Sequence, residues 1–99
     1  MRLSDILKTM KFDDTRYNIK NEKEFQTLGI VASNVNMSMC TFVDDEKYID
    51  LIPGNTNMVI TTLPLAKIIK KDCGICITEQ PRLLFFSIHN HLVNSKEYC

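Results

Sequence analysis

Glycine and proline are scarce in this sequence, with three of each among 99 residues. So few glycines leave little room for a loop whose backbone N–H groups hold a phosphate, and no GxGxxG, Walker-type or HExxH motif occurs. Because 44% of the residues are apolar and glycine and proline are few, long disordered segments are not expected. The sequence indicates a globular protein without the common phosphate-loop and zinc-protease motifs.

Clustered positive charge and long apolar runs are also missing. Twelve basic residues balance twelve acidic ones, and the longest basic run is Lys70-Lys71, so we expect no nucleic-acid partner. No apolar run approaches the ~20 residues of a membrane span. Asp5 stands where a signal peptide needs its apolar core. These features predict a cytoplasmic protein without a membrane span.

The length predicts a single domain over residues 1–99, which buries roughly 65% of its unfolded surface. Apolar patterning predicts strands at 15–20, 25–32, 39–43, 58–62 and 74–78, with turns or loops at 13–14, 21–23 and 33–38. From residue 39 onward the strands alternate with short helices. The fold class is therefore α/β (α+β), with a small mixed sheet of about five strands flanked by short helices.

Helix signals occur at four places. Ser4 or Asp5 is expected to cap a first helix that ends near Lys11, and Asp44 or Asp45 one that Pro53-Gly54 stops. Pro64 is expected to open a third helix, which carries Leu65, Ile68 and Ile69. The clearest helix begins at Pro81, with a core-facing stripe of Leu84, Phe85, Ile88 and Leu92.

Cysteines and histidines suggest a metal site at first sight. Cys73 and Cys76 have CxxC spacing and His89 follows after twelve residues, but one residue separates it from His91. Two imidazoles at that spacing point roughly 200° apart on a helix and cannot share one metal. Residues three apart in a strand likewise face opposite sides. We expect no metal site.

The four cysteines are expected to be reduced thiols, because a disulfide frame is unusual in a chain of this kind. Cys40, Cys73 and Cys76 sit in apolar contexts and are predicted to pack as core residues, whereas Cys99 is predicted to be exposed. No nucleophile or carboxylate lies at a spacing in the sequence that would place it beside one of the histidines as a catalytic partner. A small hydrolase or redox enzyme is therefore the least favoured interpretation.

The stretch from Thr41 to Tyr48 holds the best candidate chemistry, two aromatic residues around three acids. Phe42 would project from the end of a strand. Asp45 and Tyr48 are three residues apart, so they would lie on the same face of the helix that follows. Two aromatic rings can hold a planar ligand between them, and stacking on an aromatic side chain contributes ~1–3 kcal/mol of binding free energy per base. The residues alone favour the simpler interpretation, in which Phe42 and Tyr48 are core and Asp45 starts the helix.

The run from Cys40 to Tyr48 resembles the Phe-x-x-Asn-Pro-Lys-Tyr signature of the UDP-3-O-acylglucosamine N-acyltransferases of lipid A biosynthesis. Flanking segments are similar to strands and a helix of that family, in the same order and over most of residues 1–93. They are Leu28–Ala32, Met58–Thr61, and Gly74–Pro81 followed by Phe85-Phe86. The resemblance implies the family's N-terminal uridine-binding domain, in which Phe42 and Tyr48 would sandwich the uracil of a UDP-linked amino sugar.

Two departures from the signature bear on the ligand. Asp45 stands at the family's Asn and Glu46 at its Pro. An ionised Asp45 can only accept hydrogen bonds, so it would be repelled by uracil O4. A protein-interaction or assembly domain that retains the fold but has lost nucleotide binding is therefore the alternative.

The family's catalytic histidine lies on a hexapeptide-repeat domain, and no hexapeptide repeat occurs among these 99 residues. The resemblance is thus to an acyltransferase, but we expect this domain to bind without catalysing, with no catalytic residue and no cofactor. The expected partners are a UDP-linked amino sugar and, in a longer parent protein, the hexapeptide-repeat domain.

Overall fold

The computed structural model describes residues 2–12, 15–29, 38–52, 54–69 and 73–95, with the backbone alone for 93–95. In chain order its elements are α1 (Leu3–Thr9), β1 (Tyr17–Lys20), β2 (Thr27–Leu28), β3 (Met39–Val43), a 3₁₀ helix (Glu46–Leu51), β4 (Thr56–Thr61), α2 (Leu63–Ala66), β5 (Gly74–Thr78) and α3 (Pro81–Ser95). Within these residues the strands form one mixed five-stranded sheet, as the sequence predicted.

The sheet has the order β1-β5-β4-β3-β2. β2 to β5 run parallel, whereas β1 pairs antiparallel with β5 at one edge. The register places Phe42 opposite Ile60, and Ile60 opposite Cys76. Helices cover both faces of a parallel sheet, which explains why β3 and β4 are buried along most of their length.

α1 and α3 cover one face of the sheet, which we call the α3 face. Its buried residues come from both helices, from strand positions and from the segment before β2: Leu3, Ile6, Leu7, Phe25, Leu28, Cys40, Met58, Ile60, Cys76, Leu84, Phe85, Ile88 and Leu92. The predicted stripe of the last helix is therefore confirmed.

The 3₁₀ helix and α2 cover the opposite face, which we call the α2 face. Its buried residues are Val43, Val59, Ile69 and Cys73, and Tyr48, Ile49, Ile52, Leu65 and Ile75 pack against them. Val43 and Val59 alternate with Cys40, Met58 and Ile60 along their strands, so the two clusters lie on opposite sides of the sheet. The third helix is shorter than predicted, because α2 ends at Ala66 and so carries neither Ile68 nor Ile69. Ile69 is nevertheless buried, whereas Ile68 is exposed.

The predicted cap of α1 is wrong. The residue before the helix is Arg2, which makes no side-chain cap, and Ser4 and Asp5 lie inside the helix. The backbone N–H of Ser4 instead donates to Glu22 Oε2 at 3.2 Å, and its hydroxyl donates to Glu22 Oε1 at 2.9 Å. A carboxylate from the segment after β1 thus satisfies the free N–H of the first turn.

At the start of β5 the backbone of Gly74 lies very close to neighbouring residues. A side chain at Gly74 would collide with Met58 Sδ and with the carbonyl oxygen of Asn21. Asn21 itself has a left-handed backbone with φ of 53°, which turns the chain after β1 as the sequence predicted. The predicted turn at 13–14, the end of the second strand at 30–32, the loop at 33–37 and Pro53 lie outside the described residues.

Candidate functional site

Phe42 lies on the α3 face, near the end of β3. Its ring centroid is 4.8 Å from that of Phe85, at an interplanar angle of 43°, and 5.7 Å from that of Phe86. The side chain is half-buried and packs against the core cluster of this face. Phe42 therefore joins β3 to α3.

Tyr48 lies on the α2 face. It is half-buried against the cluster of Val43 and Val59, and Lys47 Nζ lies 5.1 Å from its ring centroid. Neighbouring residues of a strand point to opposite faces, so Phe42 on one side of β3 does not meet a ring packed on Val43. The structure does not bring Phe42 and Tyr48 together, and their role in binding stays a prediction.

Asp45 caps the 3₁₀ helix. Its Oδ1 accepts a hydrogen bond from the backbone N–H of Lys47 at 3.1 Å, so the predicted cap after β3 is confirmed. The element is a 3₁₀ helix of six residues. Asp45 thus serves the backbone, and the neighbouring Asp44 lines a cavity instead.

That cavity, the carboxyl-edge groove, has a volume of about 570 Å³. It is lined by Asp44, Thr62, Glu79, Gln80, Pro81, Arg82, Leu83 and Phe86. Asp44, Thr62 and Glu79 directly follow the last residues of β3, β4 and β5. The groove therefore lies at the carboxyl ends of three adjacent parallel strands, next to the first turns of α3.

A second cavity of about 830 Å³ continues along the same edge. It shares Thr62, Glu79, Gln80 and Leu83 with the groove and extends to Tyr17. The two cavities form one continuous depression around the start of α3.

The aromatic side chain of the groove is Phe86, whose surface is 42% exposed. Its ring makes an edge contact with Phe85 at a centroid distance of 5.5 Å, and the guanidinium carbon of Arg82 lies 5.9 Å from its centroid. Asp44 and Glu79 add carboxylates to the same groove. The groove thus presents an aromatic ring, a cation and hydrogen-bond acceptors.

The sequence predictions did not single out Arg82 or Phe86. A usable signal exists, because Phe86 falls outside the stripe of Leu84, Phe85 and Ile88. A large aromatic residue on the polar side of an amphipathic helix is expected to be exposed.

The cysteines are confirmed as core residues where they are described. Cys40, Cys73 and Cys76 are all buried. Burial raises the pKa of Cys76 to about 12, and the charge of Glu22 contributes. Burial likewise raises the pKa of Cys40, with Cys76 adding to the effect. Both thiols remain protonated near neutral pH and are poor nucleophiles.

Neither a metal cluster nor a membrane-spanning helix is present in the part of the chain that the structure describes. Cys99 lies outside that part. His89 and His91 lie on α3, and each is half-buried.

Comparison with known proteins found no match to a protein-family model, to a curated protein or to a solved structure.

Proposed function

We propose that the protein recognises a nucleotide-linked sugar, of the UDP-glucosamine type that the resemblance implies, in the carboxyl-edge groove. The observation that carries the proposal is the position of Asp44, Thr62 and Glu79, directly after three adjacent parallel strands. Ligands of open α/β sheets bind at the carboxyl ends of the strands, where side chains from several loops converge.

The chemistry of the groove supports the same proposal. A nucleotide-linked sugar has a planar base, a diphosphate and hydroxyl groups. Phe86 offers a surface on which a base can stack, and Arg82 offers a charge that attracts phosphate. The first turns of α3 line the groove, and the N-terminus of a helix favours an anion. Asp44 and Glu79 can accept hydrogen bonds from sugar hydroxyls.

We propose recognition without catalysis. The resemblance assigns acyl transfer to a hexapeptide-repeat domain, so this domain would hold the sugar nucleotide for that domain in a longer parent protein. No residue of the groove is assigned a catalytic role.

Titration with UDP-N-acetylglucosamine, followed by amide NMR shifts, tests the proposal. We expect shifts at Asp44, Thr62 and Gln80 that saturate with ligand. Asp44→Ala should weaken binding, whereas Asp5→Ala, which removes an exposed carboxylate from α1, should not. Unchanged resonances at millimolar ligand would overturn the proposal.

The second candidate is a protein-interaction or assembly domain. Large apolar side chains surround the depression at the carboxyl edge, with Leu83 exposed by 59%, Leu63 by 49% and Phe86 by 42%. Clustered apolar exposure marks interaction surfaces. This candidate predicts a mass in sedimentation that rises with concentration and falls in Leu83→Gln. A strictly monomeric protein that responds to nucleotide would contradict it.

A further inference from the structure

We propose that Phe86 and Arg82 form the base clamp of the groove, and that a planar base inserts between the Phe86 ring and the Arg82 guanidinium. The inference rests on the proposed function and names the residues that hold the base. It assigns stacking to two residues of α3 and none to Tyr48.

Phe86 is an exposed ring that its neighbours nevertheless hold in place. Phe85 contacts it at a centroid distance of 5.5 Å and an interplanar angle of 85°, and Phe42 at 5.7 Å and 61°. Phe85 is itself almost fully buried, at 2% exposure. A ring fixed in this way loses little conformational freedom when a ligand stacks on it, so more of the stacking energy contributes to affinity.

Arg82 supplies the second plane. It lies four residues before Phe86, so the two side chains are neighbours on the helix surface, and both line the groove. A base stacked between two planes needs about 3.5 Å on each side, or about 7 Å in all. The guanidinium carbon is 5.9 Å from the Phe86 centroid, and Arg82 is exposed. A base therefore enters only when the exposed Arg82 side chain moves outward.

Tyr48 and Phe42 are less suited to this task. Tyr48 packs on the α2 face, across the sheet from the Phe42, Phe85 and Phe86 rings. Phe42 already contacts both Phe85 and Phe86, so its ring supports the clamp from behind. Phe42 would therefore support the Phe86 ring without stacking on the base, and the second stacking plane would come from Arg82.

The experiment measures dissociation constants of uridine and of UDP-N-acetylglucosamine for the wild type, Phe86→Leu, Arg82→Lys and Tyr48→Leu. Leu retains apolar bulk without a ring, and Lys retains charge without a planar group. We expect Phe86→Leu to weaken both ligands by about 10- to 100-fold, the effect of losing one stacked base. Arg82→Lys should also weaken both ligands, and Tyr48→Leu neither. Amide spectra of each variant verify folding.

Each other outcome overturns the clamp. If Tyr48→Leu weakens binding and Phe86→Leu does not, the proposed function stands and the base lies elsewhere. If Arg82→Lys weakens UDP-N-acetylglucosamine but not uridine, Arg82 contacts phosphate and does not stack. If the wild type binds neither ligand, the proposed function fails together with the clamp.

Discussion

The ring of Phe42 lies 4.8 Å from the ring of Phe85, between centroids, and joins the sheet to its longest helix. Phe85 is 2% exposed, so the contact belongs to the core of the α3 face. The residue that the signature marks as a ligand contact is thus also a structural one.

Replacing Phe42 by Ala should lower the free energy of unfolding by about 2–3 kcal/mol, somewhat below the usual cost for a fully buried Phe because the side chain is half-buried. Phe42→Leu should cost about 1 kcal/mol because most of the apolar contact survives. Urea unfolding measures both. Equal stability of Phe42→Ala and the wild type would show that the ring does not join β3 to α3. Loss of ligand binding in Phe42→Ala alone would not distinguish a contact from a packing defect.

Gly74→Ala should lower the free energy of unfolding by about 1–3 kcal/mol, as overpacking does in cores. The new Cβ would press on Met58 Sδ and lie 2.5 Å from the carbonyl oxygen of Asn21, where backbone must move. Gly54→Ala is the matched control, because a Cβ there has open space and the backbone φ is not positive. Chemical denaturation of the two variants should differ clearly. Equal effects would contradict the close approach at the start of β5.

Stability should fall at alkaline pH. Below the usual thiol pKa of 9.0, Cys76 is protonated in the folded and unfolded states, so it causes no pH dependence. Above that value the unfolded state loses the proton, whereas the folded state keeps it until about pH 12. The unfolded state then binds fewer protons, and the free energy of unfolding falls by about 1.4 kcal/mol per pH unit for this thiol.

The buried thiol of Cys40 should add to this slope, since its pKa is also raised. The measurement is urea unfolding at several alkaline pH values, for the wild type and for Cys76→Ala. The variant should be less stable overall but should show the shallower pH dependence. An identical slope in both proteins would exclude Cys76 as its source.

Local pattern was enough to predict much of the fold. Met39–Val43 and Gly74–Thr78 are strands at the predicted bounds, and α3 begins at Pro81 as expected. Each of these segments has a recognisable pattern of apolar residues. Each is also bounded by a residue that favours the beginning or the end of a helix or strand. A pattern of this kind acts over a few neighbouring residues, so it can be read without tertiary information.

Contacts across the sheet could not be predicted in the same way. Whether Phe42 and Tyr48 meet depends on the face on which each ring packs, which the pairing of β3 and the path of the 3₁₀ helix determine together. The groove likewise depends on three strand ends that are far apart in sequence. The cap of α1 depends on Glu22, which is 18 residues beyond Ser4. Nothing in the local pattern names that partner.

Glu22→Ala should lower the free energy of unfolding by about 1–3 kcal/mol, because it leaves the N–H and hydroxyl of Ser4 without their carboxylate. The Glu22 side chain is 15% exposed, so water replaces these bonds poorly. Arg2→Ala should cost less than about 1 kcal/mol, since its bond to the same carboxylate is largely exposed. Thermal and urea unfolding compare the two variants. A larger loss of stability in Arg2→Ala than in Glu22→Ala would show that Glu22 acts mainly through its ion pair with Arg2 and not through its bonds to the start of α1.

The adjacent residues Asp44 and Asp45 provide the sharpest separation of function from stability. Asp45→Ala should cost about 0.5–1 kcal/mol of stability, because it removes the acceptor for the Lys47 N–H and with it the cap of the 3₁₀ helix. Asp44→Ala removes an exposed carboxylate from the groove, so it should leave stability within about 0.5 kcal/mol of the wild type and should weaken nucleotide-sugar binding. Urea unfolding and ligand titration on both variants give four values. The reverse pattern, with Asp45 needed for binding and Asp44 for stability, would return the ligand contact to the position that the signature marks.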